Sequence, residues 1–186
     1  GAGILTDLKR LSGLTGLEYL ELTGQPLETL EGIQNFKRLI SLNLNGSAVS
    51  DISAIKEADF SYAYEGGGLS LLIGSLPCED LSPLSVIRQF NELNINADAS
   101  LWLPHLSESS VTRLLAYGCR LKDSDIPLLA AIPGLKDLEI PYNQEVTDLS
   151  PLLALETLER LTVSQNMKKA VKSLGEQVGF EVIFAD

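Results

Sequence analysis

A repeat of about 22 residues constrains the fold of this chain more than any other feature of its sequence. Residues 36–55 carry seven apolar positions, and subtracting 22 from each gives seven positions that are also apolar. The two sets are Phe36, Leu39, Leu42, Leu44, Val49, Ile52 and Ile55, and Leu14, Leu17, Leu20, Leu22, Leu27, Leu30 and Ile33. Such a period is typical of solenoids, in which each repeat buries its apolar residues against its neighbours.

Seven short strand motifs follow this register, with apolar residues at the first, fourth and sixth positions. They begin at Leu17, Leu39, Gly68, Phe90, Val111, Leu135 and Leu158. One strand and about 20 returning residues per repeat allow only parallel stacking. The sequence therefore predicts an α/β solenoid, a right-handed superhelix with a concave parallel sheet of about seven strands. Short helical or 3-10 turns are expected on the convex side.

The returning half of the repeat carries aspartates before an aliphatic residue, at Asp51, Asp80, Asp125 and Asp148. Ser82 and Ser150 each precede a proline, which is typical of a helix N-cap followed by proline at the first helical position. A column of carboxylates also suggests a calcium ladder, but dense D-x-D groups and glycine-rich loops are missing. We therefore interpret the column as helix capping and predict neither a metal nor a cofactor.

One repeat is seven residues longer than the first, and the extra residues fall within 56–68. This insertion carries Phe60, Tyr62 and Tyr64 and ends in three glycines, so we expect a loop rather than a regular helix. Insertions in repeat proteins often lie on the binding face, and tyrosine is good contact material. Two alternatives remain, namely that the rings cover the edge of the solenoid or that the segment forms an extra strand.

The two ends of the chain depart from the repeat. Residues 4–11 match the second half of a repeat, so we expect that further residues precede Gly1 in a longer protein, with a start inside a helical cap as the alternative. The segment 167–177 predicts a helix and 180–184 a final strand. We expect one domain, 1–186, with repeats over 4–165 and a C-terminal helix–strand cap over 166–186.

The formal net charge of −11 disfavours binding to a phosphate backbone, which needs clustered cations, and we predict no nucleic-acid partner. It favours a basic partner, or simply keeps a repeat protein soluble. No run of about 18 apolar residues predicts a membrane span. Cys78 and Cys119 lack the spacing of a metal site, and Cys119 is predicted to be a buried structural thiol.

The motif L-x-x-L-x-L-x-x-N followed by V/I-x-D-I/L-S resembles the internalin-like class of bacterial leucine-rich repeats. The residues that carry the resemblance are Leu39, Leu42, Leu44, Val49, Asp51, Ile52 and Ser53, and again 146–152. Most copies depart from it at the ninth position, where Gln25, Ser47, Asp98 and Cys119 replace the asparagine found at Asn143 and Asn166. The resemblance implies the fold and favours a secreted or cell-surface location over a cytoplasmic one; it does not carry adhesion over.

The sequence carries no arrangement that predicts an enzyme. His105 lies between core leucines on the returning side and is not paired with a nucleophile by any motif. Gly66, Gly67 and Gly68 lack the spacing of a phosphate-binding loop. We therefore predict a non-enzymatic protein.

Binding residues are predicted among the outward positions of the strands and in the insertion. They are Tyr19, Glu21, Asn43, Asn45, Tyr62, Tyr64, Leu72, Glu92, Asn94, Arg113, Leu115, Tyr117, Glu139 and Arg160. Within this set Tyr19, Leu72, Arg113, Leu115 and Tyr117 are the strongest candidates, because Tyr and Arg dominate measured binding energies and the leucines are expected to be exposed. Trp102 alternates with Leu101 and Leu103 and is expected to point outward if they point inward, either as a side contact or beneath a loop.

These observations favour a module, monomeric in isolation, that binds a protein or peptide and neither nucleic acid nor the membrane interior. Two alternatives stay open. The chain could be the recognition or regulatory domain of a larger enzyme, or a structural surface spacer. The spacer is favoured if the concave face shows no larger apolar patch than the convex one.

Overall fold

The repeat register appears in the computed structural model as one parallel sheet whose strands are ordered as they are in the sequence. The structure describes residues 5–176 and 178–185, so Gly1, the start of the 4–11 motif, Gln177 and Asp186 lie outside it. Within that part there are eight strands, one more than the seven motifs. They are β1 (Tyr19–Glu21), β2 (Ser41–Asn43), β3 (Leu69–Ile73), β4 (Gln89–Ile95), β5 (Ser110–Ala116), β6 (Asp137–Glu139), β7 (Arg160–Ser164) and β8 (Glu181–Ala185).

A column of leucines fixes the register of the sheet. Paired positions across neighbouring strands join Leu20, Leu42, Leu71, Leu93, Leu114, Leu138 and Leu161, and each of these side chains is buried. Strand side chains alternate between faces, so the residues on either side of each leucine point to the opposite, concave face. A single apolar core runs through the solenoid from Leu8 to Phe180. The predicted solenoid fold is confirmed.

Short helical elements return the chain on the convex side. Four are α-helical, namely α1 (Ser61–Glu65), α2 (Ala99–Trp102), α3 (Ile126–Ala130) and α4 (Lys168–Val171). The others are 3-10 turns at Lys9–Leu11, Ile33–Asn35, Ser53–Glu57, Ser82–Val86, Leu103–Leu106, Ser150–Ala154, Gln165–Met167 and Lys172–Leu174. None of the helices in the described residues is long and apolar enough to cross a membrane.

Three aspartates of the column bond at the start of these turns, as the capping interpretation predicted, whereas the serines are not the N-caps that the sequence also predicted. Oδ1 of Asp51, Asp80 and Asp148 accepts a hydrogen bond from the backbone N–H two residues on, at 2.7, 2.9 and 2.8 Å. Hydrogen bonds from Ser53, Ser82 and Ser150, respectively, hold the pKa of these three carboxyls below its usual value. Ser82 and Ser150 instead begin the turns, with the expected proline directly after each.

The insertion is a helix and not the loop that the glycines suggested. Helix α1 occupies its centre, Phe60 and Ala63 are buried, and the glycines only end the helix. The Tyr62 hydroxyl donates to Glu18 at 3.1 Å and accepts from Arg38 at 2.8 Å. The prediction overlooked that one helical turn fits before the first glycine.

The hydroxyl of Tyr64 extends the contacts of α1 to the segment just before β4, because it accepts a bond from the Arg88 backbone N–H at 3.1 Å. The Arg38 guanidinium lies 4.7 Å from the Tyr62 ring centre and also pairs with Glu18 at 2.7 Å. We call Glu18, Arg38 and Tyr62 the α1 brace. It joins strand β1 to the inserted helix.

The turns after β1, β2, β3, β5 and β6 share a geometry at the eighth position of the repeat. Gly24, Gly46, Ser75, Gly118 and Tyr142 all have a left-handed backbone, with φ between 60 and 65°. Glycine adopts this conformation without a steric penalty, whereas Ser75 and Tyr142 adopt it at a cost.

The ninth position is buried at Ser47, Cys119 and Asn143, whereas Gln25 and Asn166 are exposed. Asn143 is fully buried, its Nδ2 donates to the carbonyls of Ala116 and Ile140 at 2.9 and 3.0 Å, and its Oδ1 accepts from Leu121 N at 3.0 Å. Cys119 is also fully buried, and burial raises the pKa of its thiol to about 12, which confirms the structural thiol. Hydrogen bonding at this position therefore varies with the residue that each repeat supplies.

Trp102 points into the core. It was expected to point outward only if Leu101 and Leu103 both point inward, and Leu101 does not. Residues 99–102 form helix α2 rather than a strand, and this places Trp102 inside and leaves Leu101 37% exposed. The indole Nε1 donates to the Ala97 carbonyl at 3.1 Å. The alternation of Leu101, Trp102 and Leu103 was interpreted with a period of two where the chain follows a helical period.

The C-terminal segment continues the sheet. The predicted helix is shorter than 167–177 and combines α4 with two flanking 3-10 turns, ending before Gly175. Strand β8 follows and pairs in parallel with β7 over five positions. It therefore adds an eighth strand to the concave sheet and does not lie across its end.

Candidate functional site

The concave face consists of two rows of side chains that flank the leucine column. The first row contains Tyr19, Ser41, Ser70, Glu92, Arg113, Asp137, Arg160 and Glu181 in register. The second row contains Glu21, Asn43, Leu72, Asn94, Leu115, Glu139, Thr162 and Ile183. Ten of the fourteen predicted binding residues lie in these rows. Asn45 and Tyr117 follow on the same face at the ends of β2 and β5, and Tyr62 and Tyr64 lie on α1.

The first row contains alternating charges in its C-terminal half. Arg113 pairs with Glu92 at 3.2 Å and with Asp137 at 3.5 Å, and Arg160 pairs with Asp137 at 3.3 Å and Glu181 at 3.9 Å. We call these five residues the charge ladder. Asp137 and Glu181 were absent from the predicted binding set, although the spacing of opposite charges by one repeat could have identified them.

Burial affects the carboxylate at the centre of the ladder. Asp137 Oδ1 is buried without a hydrogen-bond partner among the described residues, as is Nε of Arg113. Desolvation raises the pKa of Asp137, although Arg160 and Arg113 oppose the shift. The ladder is thus held by ion pairs within the sheet, and its groups are largely occupied by one another.

Three of the strongest predicted binding residues, Arg113, Leu115 and Tyr117, are engaged in contacts within the chain. The guanidinium of Arg113 donates to Glu139 at 2.5 Å, and the Tyr117 hydroxyl donates to the same carboxylate. Desolvation and then this bond raise the pKa of Tyr117 to about 12. Leu115, expected to be exposed, is only 9% exposed because the neighbouring side chains pack over it. The C-terminal half of the face therefore presents few free groups.

The N-terminal half, β1 to β3, is more open. Tyr19 is 67% exposed, the largest value for any large apolar side chain in the described part of the chain. Beside it lies a hollow of about 390 Å³. The lining residues are Tyr19, Leu20, Glu21, Ser41, Asn43 and Leu72, and we call this the Tyr19 groove. Four of its members were predicted from the sequence.

A second hollow of about 240 Å³ continues from Tyr19 toward the insertion. Ala63, Gly66 and Gly68 line its outer wall, and Ser70 and Asn91 line its floor. At Gly68 a Cβ atom would lie 2.6 Å from the Asn91 backbone nitrogen, so only glycine fits this close approach. Helix α1 therefore forms a rim of the face, while the hydroxyls of Tyr62 and Tyr64 bond within the chain.

The groups on this face are ones that form non-covalent contacts. The face offers a tyrosine ring, amide and hydroxyl groups and carboxylates, all of which can bind a partner without a reaction. His105 is half-buried in a convex 3-10 turn, and both cysteines are buried. In residues 5–176 and 178–185, no group of three His, Cys, Asp or Glu residues could hold a metal ion.

Exposed aliphatic side chains lie mainly on the other side of the molecule. Val86, Leu101, Leu128 and Leu153, on the convex helical turns, are 41, 37, 50 and 48% exposed. A hollow of about 250 Å³ between Leu103, Leu106 and Leu128 lies on this side. The concave face therefore does not carry a larger exposed apolar patch than the convex side.

Comparison with known proteins identifies a fold and no closer relationship. No family model and no curated protein matches the sequence. A crystal structure of internalin C2 from Listeria monocytogenes resembles the chain with a TM-score of 0.57 and 20% identity, over 96% of this chain and 90% of that one. At this identity the likeness supports the leucine-rich repeat solenoid and nothing finer.

Proposed function

We propose that this chain is a non-enzymatic interaction module that binds a protein or peptide on its concave face, with helix α1 as one rim. One observation carries the proposal, namely the open Tyr19 groove beside the most exposed ring of the described residues. Exposed tyrosines beside a hollow are typical of binding hot spots. The partner would contact β1 to β3 most closely, because the charge ladder occupies much of the remaining face.

The structural neighbour supports the class of function but not the partner. Internalin C2 shares the solenoid, and its name places it in the internalin group that the repeat motif resembles. We infer that the chain is an internalin-like repeat protein, monomeric in isolation, that acts at a cell surface or after secretion.

The test compares one substitution on each side of the solenoid. Leu72→Arg adds a bulky charge at the centre of the Tyr19 groove, and Leu128→Arg makes the same change on an exposed convex position. Immobilised wild-type and variant chains are exposed to the same extract, and the retained proteins are quantified by mass spectrometry. We expect Leu72→Arg to lose specifically retained partners and Leu128→Arg to keep them, with similar thermal midpoints for the two variants.

A structural spacer is the second candidate, favoured by the exposed convex aliphatics. A spacer would contact its neighbours through that side and would leave the concave face free. Retention that survives Leu72→Arg and fails with Leu128→Arg would contradict the concave-face proposal and support the convex alternative.

A further inference from the structure

The first observation concerns Glu21, whose carboxylate lies in the Tyr19 groove without a cation. Its one side-chain hydrogen bond among the described residues comes from the Thr23 hydroxyl at 3.4 Å. Arg38, which precedes the neighbouring strand β2, is engaged elsewhere because it pairs with Glu18. Glu21 is therefore an acceptor that an incoming cation can use without breaking an existing ion pair.

The second observation is the position of the Tyr19 ring. Tyr19 and Glu21 are two residues apart on β1 and point to the same face, so their Cα atoms are separated by about 6.7 Å. The half-buried Leu72 forms an apolar wall across the groove, two strands from Glu21 in the same row. An aromatic ring, a carboxylate and an aliphatic wall match the three parts of a long cationic side chain.

The third observation is the charge of the whole face. The two rows contain the carboxylates Glu21, Glu92, Asp137, Glu139 and Glu181 against the two cations Arg113 and Arg160, an excess of three negative charges. The chain carries a net charge of −11. This field attracts a basic partner, and within the face Glu21 is the carboxylate that no arginine neutralises.

From these observations we propose that the Tyr19 groove receives an arginine or lysine side chain of an extended partner segment, held between the Tyr19 ring and the Glu21 carboxylate. The inference rests on the proposed function and names the chemistry of its partner. The second hollow, beside Ser70 and the glycines after α1, receives the neighbouring residues of that segment. The charge ladder plays no part in this contact, because its carboxylates already pair with Arg113 and Arg160.

The probe is a short peptide of alternating arginine and glycine with blocked ends, titrated into ¹⁵N-labelled protein. A peptide with glutamine in place of arginine is the neutral control. We expect the arginine peptide to shift the amide signals of Tyr19, Glu21, Ser41 and Asn43 most strongly, and the glutamine peptide to leave them in place. Strongest shifts at Glu92 and Glu139 would instead overturn the assignment.

Three variants separate a site from general attraction to an acidic protein. We expect Glu21→Gln and Tyr19→Ala each to weaken peptide binding about threefold, as exposed ion pairs and cation–π contacts do. Glu79→Gln removes the same charge from an exposed position outside the face and should leave the affinity unchanged. Equal weakening by Glu21→Gln and Glu79→Gln would mean that only net charge attracts the peptide, and would overturn the proposal.

Failure of this cationic site can be distinguished from failure of the proposed function. If Leu72→Arg abolishes retention of the protein partner while Glu21→Gln and Tyr19→Ala retain both partner and peptide, the concave face still binds but the cationic site is wrong. If Leu72→Arg keeps the partner, the concave-face function itself fails.

Discussion

At the scale of single residues, the turns that leave β1, β2, β3, β5 and β6 impose a left-handed backbone conformation that most side chains disfavour. Glycine supplies the left-handed residue at Gly24, Gly46 and Gly118, whereas Ser75 and Tyr142 are held in the same region at φ of 60 and 63°. A residue with a Cβ atom costs about 1–2 kcal/mol there. The repeats thus share one backbone but differ in how well their residues suit it.

Exchanging the residues at two of these turns tests that difference. We expect Ser75→Gly to raise the free energy of unfolding by about 0.5–1 kcal/mol, because relief of strain exceeds the added flexibility of the unfolded chain. Gly46→Ser should lower it by a similar amount, since a Cβ at Gly46 meets no atom within 4 Å and the backbone alone opposes it. Urea unfolding measures both. A less stable Ser75→Gly variant would show that strain does not dominate at this turn.

At the scale of elements, the inserted helix is fixed by side chains from different repeats. Glu18 comes from just before β1, Arg38 from just before β2, and Tyr62 from α1 itself. Because α1 has only five residues, it cannot be stable alone and depends on this brace and on the burial of Phe60 and Ala63. The rim of the proposed binding face is therefore held from outside its own segment.

Removing one hydroxyl tests the brace. Tyr62→Phe keeps the ring beside Arg38 but loses the bonds to Glu18 and from Arg38, so we expect a loss of about 0.5–1 kcal/mol in the free energy of unfolding. Tyr19→Phe is the matched control, because the Tyr19 ring is largely exposed. Both variants are measured by urea unfolding. Equal stability of the two would mean that the brace contributes nothing measurable.

The elements also show what the sequence could predict. Leucines spaced by one repeat identified the strands and their buried face, since apolar periodicity directly reflects burial. Helix α1 was missed because the three glycines at 66–68 predicted a loop, although they only end the helix. The orientation of Trp102 was misjudged because a short apolar stretch fits a period of two as well as a helical one. The sequence assigned Asp80 to capping in general. Only the structure shows that its carboxylate accepts a bond from the N–H of Ser82, in place of a serine cap.

The sequence could predict where the residues of the candidate site lie, but not whether their charged groups are free or paired. Tyr19, Glu21, Asn43 and Leu72 follow from the alternation of faces, which the sequence displays. Whether a charged residue on that face is free or paired depends on side-chain geometry between repeats. That is why Arg113 resembled a binding residue in the sequence and is a member of the charge ladder in the structure.

At the scale of the whole molecule, one uninterrupted core joins all the repeats. Each repeat buries its apolar residues only against its neighbours, so stability depends on the interfaces between repeats. Trp102, the single tryptophan, lies fully buried near the middle of the chain, between β4 and β5. Its fluorescence reports on the central repeats, whereas far-ultraviolet circular dichroism reports on all of them.

We expect these two signals to change together during urea unfolding, with coincident midpoints and a blue-shifted Trp102 emission before the transition. The physical reason is that the core has no polar break at which one part could unfold alone. A fluorescence midpoint clearly separated from that of circular dichroism would show that the terminal repeats unfold independently. The Trp102→Phe variant, followed by circular dichroism alone, controls for the contribution of the probe.

The parallel pairing of sequential strands also has a kinetic consequence. Paired positions on neighbouring strands lie between 21 and 29 residues apart in the sequence, as for 92 with 113 and 41 with 70. For these strand pairs the mean separation divided by the 186 residues is about 0.12, below the relative contact order of barrels and sandwiches. Although every strand pair is parallel, no step of assembly has to close a long loop. The chain should therefore fold at the pace of small mixed α/β domains, each completed repeat serving as the template on which the next one forms.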